Sequence, residues 1–158
     1  MFLSSCSNSI LKPSGWVDND QNIEKDILEL VNDTRSKGTT CGNQYYKAVQ
    51  PLIWNDMLAQ AALNHSTDMA KNGFLSHKGS DGSDPERRLS MVGYKWVLYG
   101  ENIGQGYRIA EEAVREWLKS TGHCKNIMNS EFKEAGSAYA KSSSLRIYWT
   151  LVFGTSSQ

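Results

Sequence analysis

A surplus of either charge is missing from this sequence: 17 Lys and Arg face 17 Asp and Glu, for a formal net charge of zero. Without a basic excess, nucleic acid loses its electrostatic footprint and is not expected as a partner. Proline is scarce at 3 residues, and together with 13 glycines it makes an ordinary share, which removes collagen-like and linker-like readings. No apolar run approaches the roughly 20 residues of a membrane-spanning helix. Histidine occurs only 3 times, so few imidazole chemistries are open. What is present, 158 residues with 39% hydrophobic and 22% charged, suits one domain with a real core and is too short for two.

Cysteine is also sparse. Cys6, Cys41 and Cys124 are odd in number and lack CxxC spacing, so no zinc finger or ribbon is encoded. Leu3-Ser4-Ser5-Cys6 looks like a bacterial lipobox, with Cys6 the lipidated residue and residues 1–20 a tether. Only five residues precede Cys6 where a signal peptide should stand, and a chance cysteine in a frayed terminus is the alternative reading. The expected membrane contact is through that anchor alone. In an exported chain Cys41 and Cys124 can pair, closing a loop of 124 − 41 = 83 residues, worth on the order of 4 kcal/mol. Two unrelated buried thiols are the other possibility.

Periodicity divides the remainder. Ile23, Ile27, Leu30 and Val31 recur at helical spacing and predict a first helix that stops at Gly38. Asn55 leads into a second, with Leu58, Ala61, Ala62, His65 and Met69 on one face and Gly73 at its end. Segment 74–99 carries turn chemistry, the pair Arg87-Arg88 and the aromatics Tyr94, Trp96 and Tyr99. A third helix is predicted over 108–120, with Ala110, Ala113, Val114, Trp117 and Leu118 inward and a stop at Gly122. Asn126-Ile127-Met128 adds one short turn. From Leu145 to Phe153 the period becomes two, and 137–141 can pair with it as a hairpin across 142–144. Helices first and strands last predict an α+β domain with a central antiparallel sheet and helices on its faces.

Each histidine has its own setting. His65, on the apolar face of the second helix, reads as a core or capping residue. His77 follows that helix in a loop able to present it to a groove. His123 stands beside Cys124 at a predicted helix end, where a C-terminus favours imidazolium. Glu101 lies among small residues after an aromatic stretch, a setting for a partly buried carboxylate with a shifted pKa.

Five segments in fixed order, Trp54-Asn55-Asp56-Met57-Leu58-Ala59, His65-Ser66-Thr67-Asp68-Met69-Ala70, Phe74-Leu75-Ser76-His77, Gly100-Glu101-Asn102-Ile103 and Trp117-Leu118-Lys119-Ser120-Thr121-Gly122-His123, resemble the CAP superfamily. That group holds cysteine-rich secretory proteins, insect venom antigens and plant pathogenesis-related proteins. The closing Tyr148-Trp149-Thr150-Leu151-Val152-Phe153-Gly154 is similar to its last core strand, and residues 23–154 are covered. The resemblance is to the bacterial branch, and it identifies residues 21–158 as the domain. It implies an α-β-α sandwich whose cleft, in the family, holds two His and two acidic residues able to bind zinc. Here His77 and Glu101 match the first His and the first acid. Ser120 and Tyr148 replace the other two, and His123 is a partial substitute. The resemblance thus implies a cleft of His77, Glu101, His123, Ser120, Tyr148 and Asn102, with His77, Glu101 and His123 as an N,N,O set for a divalent metal.

Other signals are weaker. Ser120, His123 and Glu101 invite a serine-hydrolase reading, but no nucleophile elbow surrounds Ser120. The glycines at 100, 104 and 106 lack the Lys-Ser/Thr of a phosphate loop and suit a buried loop that packs closely instead. Asp81 and Asp84 lack EF-hand spacing. Trp16 and Trp96 are the tryptophans suited to a surface or groove. The expectation is an exported monomeric binding domain for a small ligand, lipid, peptide or protein partner. A metal-assisted hydrolase is the alternative.

Overall fold

The computed structural model describes residues 23–157, so Cys6, Trp16 and the tether of residues 1–20 lie outside the described residues. Helix α1, Ile23–Lys37, ends at Gly38, whose φ of 77° is one that side chains resist. Strands β1, Thr39–Cys41, and β2, Gln44–Tyr46, form a small hairpin. The two-residue strand β3, Ile53–Trp54, precedes α2, Asp56–Asn72. Next come α3, Pro85–Met91, β4, Trp96–Gln105, α4, Ala110–Lys119, and α5, Thr121–Met128. Strands β5, Glu134–Lys141, and β6, Ile147–Ser156, complete a sheet in the order β3-β5-β6-β4. The expected antiparallel sheet is present, with one parallel addition where β3 joins β5.

Alternation in β6 explains the sandwich. Trp149, Leu151 and Phe153 enter one core with Ile27 and Val31 of α1, Ala113, Val114 and Trp117 of α4, and Ile127 of α5. Val152, between them, meets Leu58, Ala61 and Ala62 of α2 on the other face. Thr150 shares that face and accepts a hydrogen bond from Ser66 Oγ at 2.8 Å. Both faces of the strand are thereby buried, which gives the α-β-α layering.

Two joints fix the layers. Asn55 caps α2 by accepting from the Met57 and Leu58 amides, and its own amide nitrogen donates to the Ala135 carbonyl of β5. Beside it Gly136 lets the sheet meet the α2 backbone at Leu58 and Ala59, where a Cβ has no room. On the opposite face the buried Arg35 guanidinium donates to the carbonyls of Gln50, Ile127 and Asn129 at 2.7–2.9 Å. Burial lowers its pKa to about 10. A disulfide joins Cys41 of β1 to Cys124 of α5, as one of the two sequence readings expected.

Four local expectations are corrected. Residues 100–104 are strand rather than loop, while their glycines do serve close packing, of Phe132 against Gly100 and of Tyr107 and Trp117 against Gly104. Helix α3, inside the supposed turn segment, follows from its Asp84 cap and Pro85 at the first turn. The break after α4 falls at Ser120, and Gly122 sits inside α5. His123 is consequently in the first turn of a helix, not at a C-terminus.

Candidate functional site

Glu101 stands on β4, 7% exposed, facing the α2 side of the sheet. Three cationic or basic side chains converge on it. His77 Nδ1 is 2.7 Å from Oε1, Arg88 Nη2 is 2.8 Å from Oε2, and His65 Nε2 is 3.9 Å from Oε1. A carboxylate only accepts, so His77 Nδ1 carries the hydrogen and the free Nε2 belongs to the open side of the ring. The His77 side chain is 52% exposed while that of Glu101 is 3% exposed, so an accessible imidazole rests on a buried anion.

Arg88 is the residue that organises this arrangement. From α3 its guanidinium also donates to the His77 carbonyl at 2.9 Å and the Ser83 carbonyl at 3.1 Å, so one side chain holds the anion and the loop bearing its partner. Burial alone would push the Glu101 carboxyl up. The His77 hydrogen bond and the Arg88 charge outweigh it and hold the group below the ordinary carboxylate value. His65 donates through Nε2 to the Ser76 carbonyl at 2.8 Å, and burial keeps it below the ordinary histidine value despite the nearby Glu101. The core or capping reading of His65 agrees with that placement, although its approach to Glu101 was not foreseen.

The other expected cleft residues divide. His123 is half-buried; burial first, and then repulsion from His77 when both rings are protonated, hold its pKa below the ordinary histidine value. Its carbonyl accepts from Asn102 Nδ2 at 3.1 Å, and Asn126 Nδ2 donates to Asn102 Oδ1 at 2.9 Å. Asn102 is fully buried and ties α5 to the sheet edge rather than facing a ligand. Tyr148, 3% exposed, packs with Met69, Ala70 and Ile103, a core position rather than a cleft wall. Ser120 forms the joint between α4 and α5, and among the described residues no hydrogen bond joins its hydroxyl to an imidazole. Trp96 is half-buried, edge-to-face with Tyr99 at 4.8 Å.

Among the described residues no group of three His, Cys, Asp or Glu side chains is arranged to hold a metal ion, so the expected His77, Glu101 and His123 set does not form one. The physical reason is that Glu101 already has a cation: Oε2 is bound by Arg88 and Oε1 by His77. The residues here do not fit the zinc site that the resemblance implies.

Arg88 was the principal residue missed. It was visible as one of two adjacent arginines, and the Asp84-Pro85 start of a short helix was the signal that could have placed it beside buried Leu89.

Comparison with known proteins agrees with the resemblance. The model of the cysteine-rich secretory protein family, CAP, matches residues 28–153. The Bacillus subtilis protein named "Uncharacterized protein YkwD" is 32% identical over 130 residues, covering 82% of this chain and 46% of that protein. The chain thus spans under half the length of that relative. An extracellular protein of Bacillus anthracis containing an SCP domain superposes with a TM-score of 0.74 at 26% identity, covering 89% of this chain and 45% of the other. An outer surface protein of Borrelia burgdorferi superposes with a TM-score of 0.70 at 19% identity, covering 89% of this chain and 95% of the other. At that identity the likeness is one of fold.

Proposed function

Because the chain belongs to the CAP family of cysteine-rich secretory proteins, we propose that it acts outside the cytoplasm as a binding domain whose recognition surface is the His77 face. The disulfide supports an oxidising compartment, and the Bacillus anthracis protein is extracellular and the Borrelia one an outer surface protein. Among the described residues no helix is long and apolar enough to cross a membrane. Lipidation at Cys6 is the attachment this reading favours.

One observation carries the binding reading: a half-exposed imidazole held on a buried carboxylate that Arg88 neutralises. Such a group offers a fixed acceptor to a hydroxyl or amide donor of a small ligand, lipid headgroup, peptide or protein partner, with His123 alongside. Hydrolysis finds less support. No three-residue metal group is arranged among the described residues, and Ser120 has no imidazole bonded to it. Family membership alone does not select a chemistry.

Native mass spectrometry of the chain recovered from its own envelope tests the reading. The wild type is expected to carry an adduct that His77→Ala loses. Equal adducts on both would move recognition elsewhere, and ester or peptide turnover abolished by Glu101→Gln would replace binding with catalysis.

A further inference from the structure

Strands β1 and β2 stand apart from the four-stranded sheet and pair with each other, three residues against three. A two-stranded hairpin is at best marginally stable in water on its own, so its order has to come from the rest of the chain. Contacts of that kind are few. Of residues 39–46, Cys41 is the buried one, Thr39 and Tyr46 are half-buried, and the others are exposed. Cys124 Sγ lies 3.9 Å from the Thr40 carbonyl but, being in a disulfide, has no hydrogen to give. Among the described residues no hydrogen bond or ion pair otherwise joins the hairpin to another element.

The Cys41–Cys124 bond therefore ties the hairpin to α5, and its two ends are held very differently. Helix α5 is fixed without it. Ile127 and Met128 are buried in the core, Asn102 Nδ2 donates to the His123 carbonyl at 3.1 Å, and Asn126 Nδ2 donates to Asn102 Oδ1 at 2.9 Å. Arg35 holds the Ile127 and Asn129 carbonyls at its far end.

The hairpin has only its base. There the Val49 amide donates to the Arg35 carbonyl at 2.8 Å, Arg35 Nε donates to the Gln50 carbonyl at 2.8 Å, and Tyr46 packs against the core. At the tip Gly42 meets the Thr121 side chain, a contact far weaker than a covalent bond. Once the disulfide opens, the freedom gained is confined to residues 39–46.

We propose that this disulfide is a redox-operated clip: a small-molecule thiol opens it and frees the hairpin, while the helices and the four-stranded sheet stay folded. The thiolate attacks Cys41 Sγ from the hairpin side, where Thr40 and Gly42 are exposed. The sulfur–sulfur bond breaks, and Cys124 leaves as a thiolate that takes up the proton of the attacking thiol. A second thiol displaces Cys41 from the mixed disulfide, so two thiols are oxidised to one disulfide and the two cysteines are reduced. The face of α5 at Thr121 and Cys124 is thereby uncovered.

Nitrogen-15 relaxation of the folded chain before and after dithiothreitol, with both thiols confirmed free by mass spectrometry, is the test. Amides of residues 39–46 should have order parameters of about 0.85 when oxidised and below about 0.6 when reduced, while those of α5 and β6 stay at about 0.85. Cys41→Ser combined with Cys124→Ser should reproduce the reduced pattern with no reductant present, and reoxidation of the wild type should restore the oxidised one. In the reduced wild type, a hairpin that keeps its order would overturn the proposal, and so would loss of order in α5 or β6 along with it.

Discussion

Opposing forces meet on Glu101: burial disfavours its charge, while the His77 hydrogen bond and Arg88 favour it and prevail. Its depressed pKa means that its contribution to stability is present above the ordinary value of 4.5 and is lost as pH falls through the folded value. His65 and His123 act at higher pH. Both are lowered from 6.5 chiefly by burial, so the unfolded chain takes up their protons first, and the stability present above 6.5 is lost as pH falls towards their folded values. Urea unfolding between about pH 7 and pH 5 should show stability declining, by at most about 1.4 kcal/mol per pH unit for each proton, and less steeply in His65→Asn. Constant stability across that window would contradict the buried neutral histidines. Removing Arg88 leaves Glu101 a buried anion without its one permanent cation, beside the imidazoles of His77 and His65 alone, so Arg88→Met should cost about 3 kcal/mol. His77→Ala, at a half-exposed side chain, should cost under about 1 kcal/mol in the same urea assay.

Between elements, stability rests on backbone groups that side chains satisfy. Arg35 supplies hydrogen bonds to carbonyls of three separate segments, and Arg35→Met should lower the unfolding free energy in guanidinium chloride by about 3 kcal/mol. Lysine should not restore it, because one ammonium cannot reproduce the planar fork. Gly136→Ala forces a methyl group into the α2 backbone and should cost about 1–3 kcal/mol, with a shifted α2 seen by amide exchange. This is also the scale at which the sequence was most and least legible. Helix α2 was readable end to end, because its cap, apolar face and glycine stop are local signals. Strand β4 was not: Gly100 and Gly104 are there for Phe132 and Trp117, which come from elsewhere in the fold, and for the nearby Tyr107, and a local reading sees only loop-forming residues. Helix α5 was shortened to a turn because Gly122 looked like a stop, whereas tertiary packing of Cys124, Ile127 and Met128 overrides one weak residue.

For the whole molecule, the period-two segment and the ordered motifs were sufficient to place the chain in its family and to foresee a sheet between helix layers. They brought His77 and Glu101 to one place, yet they could not show that Arg88 occupies the carboxylate, because that ion pair depends on how α3 docks on β4. The disulfide acts at this scale too. Reducing Cys41–Cys124 should lower the unfolding free energy by up to about 4 kcal/mol, measured by calorimetry with and without reductant.

Glu101 orients the imidazole of His77, and the ring nitrogens report that directly. In a nitrogen-15 spectrum at neutral pH, His77 should carry its hydrogen on Nδ1 in the wild type and lose that preference in Glu101→Gln. A wild-type His77 ring with its hydrogen on Nε2, unaltered by Glu101→Gln, would contradict the site as described.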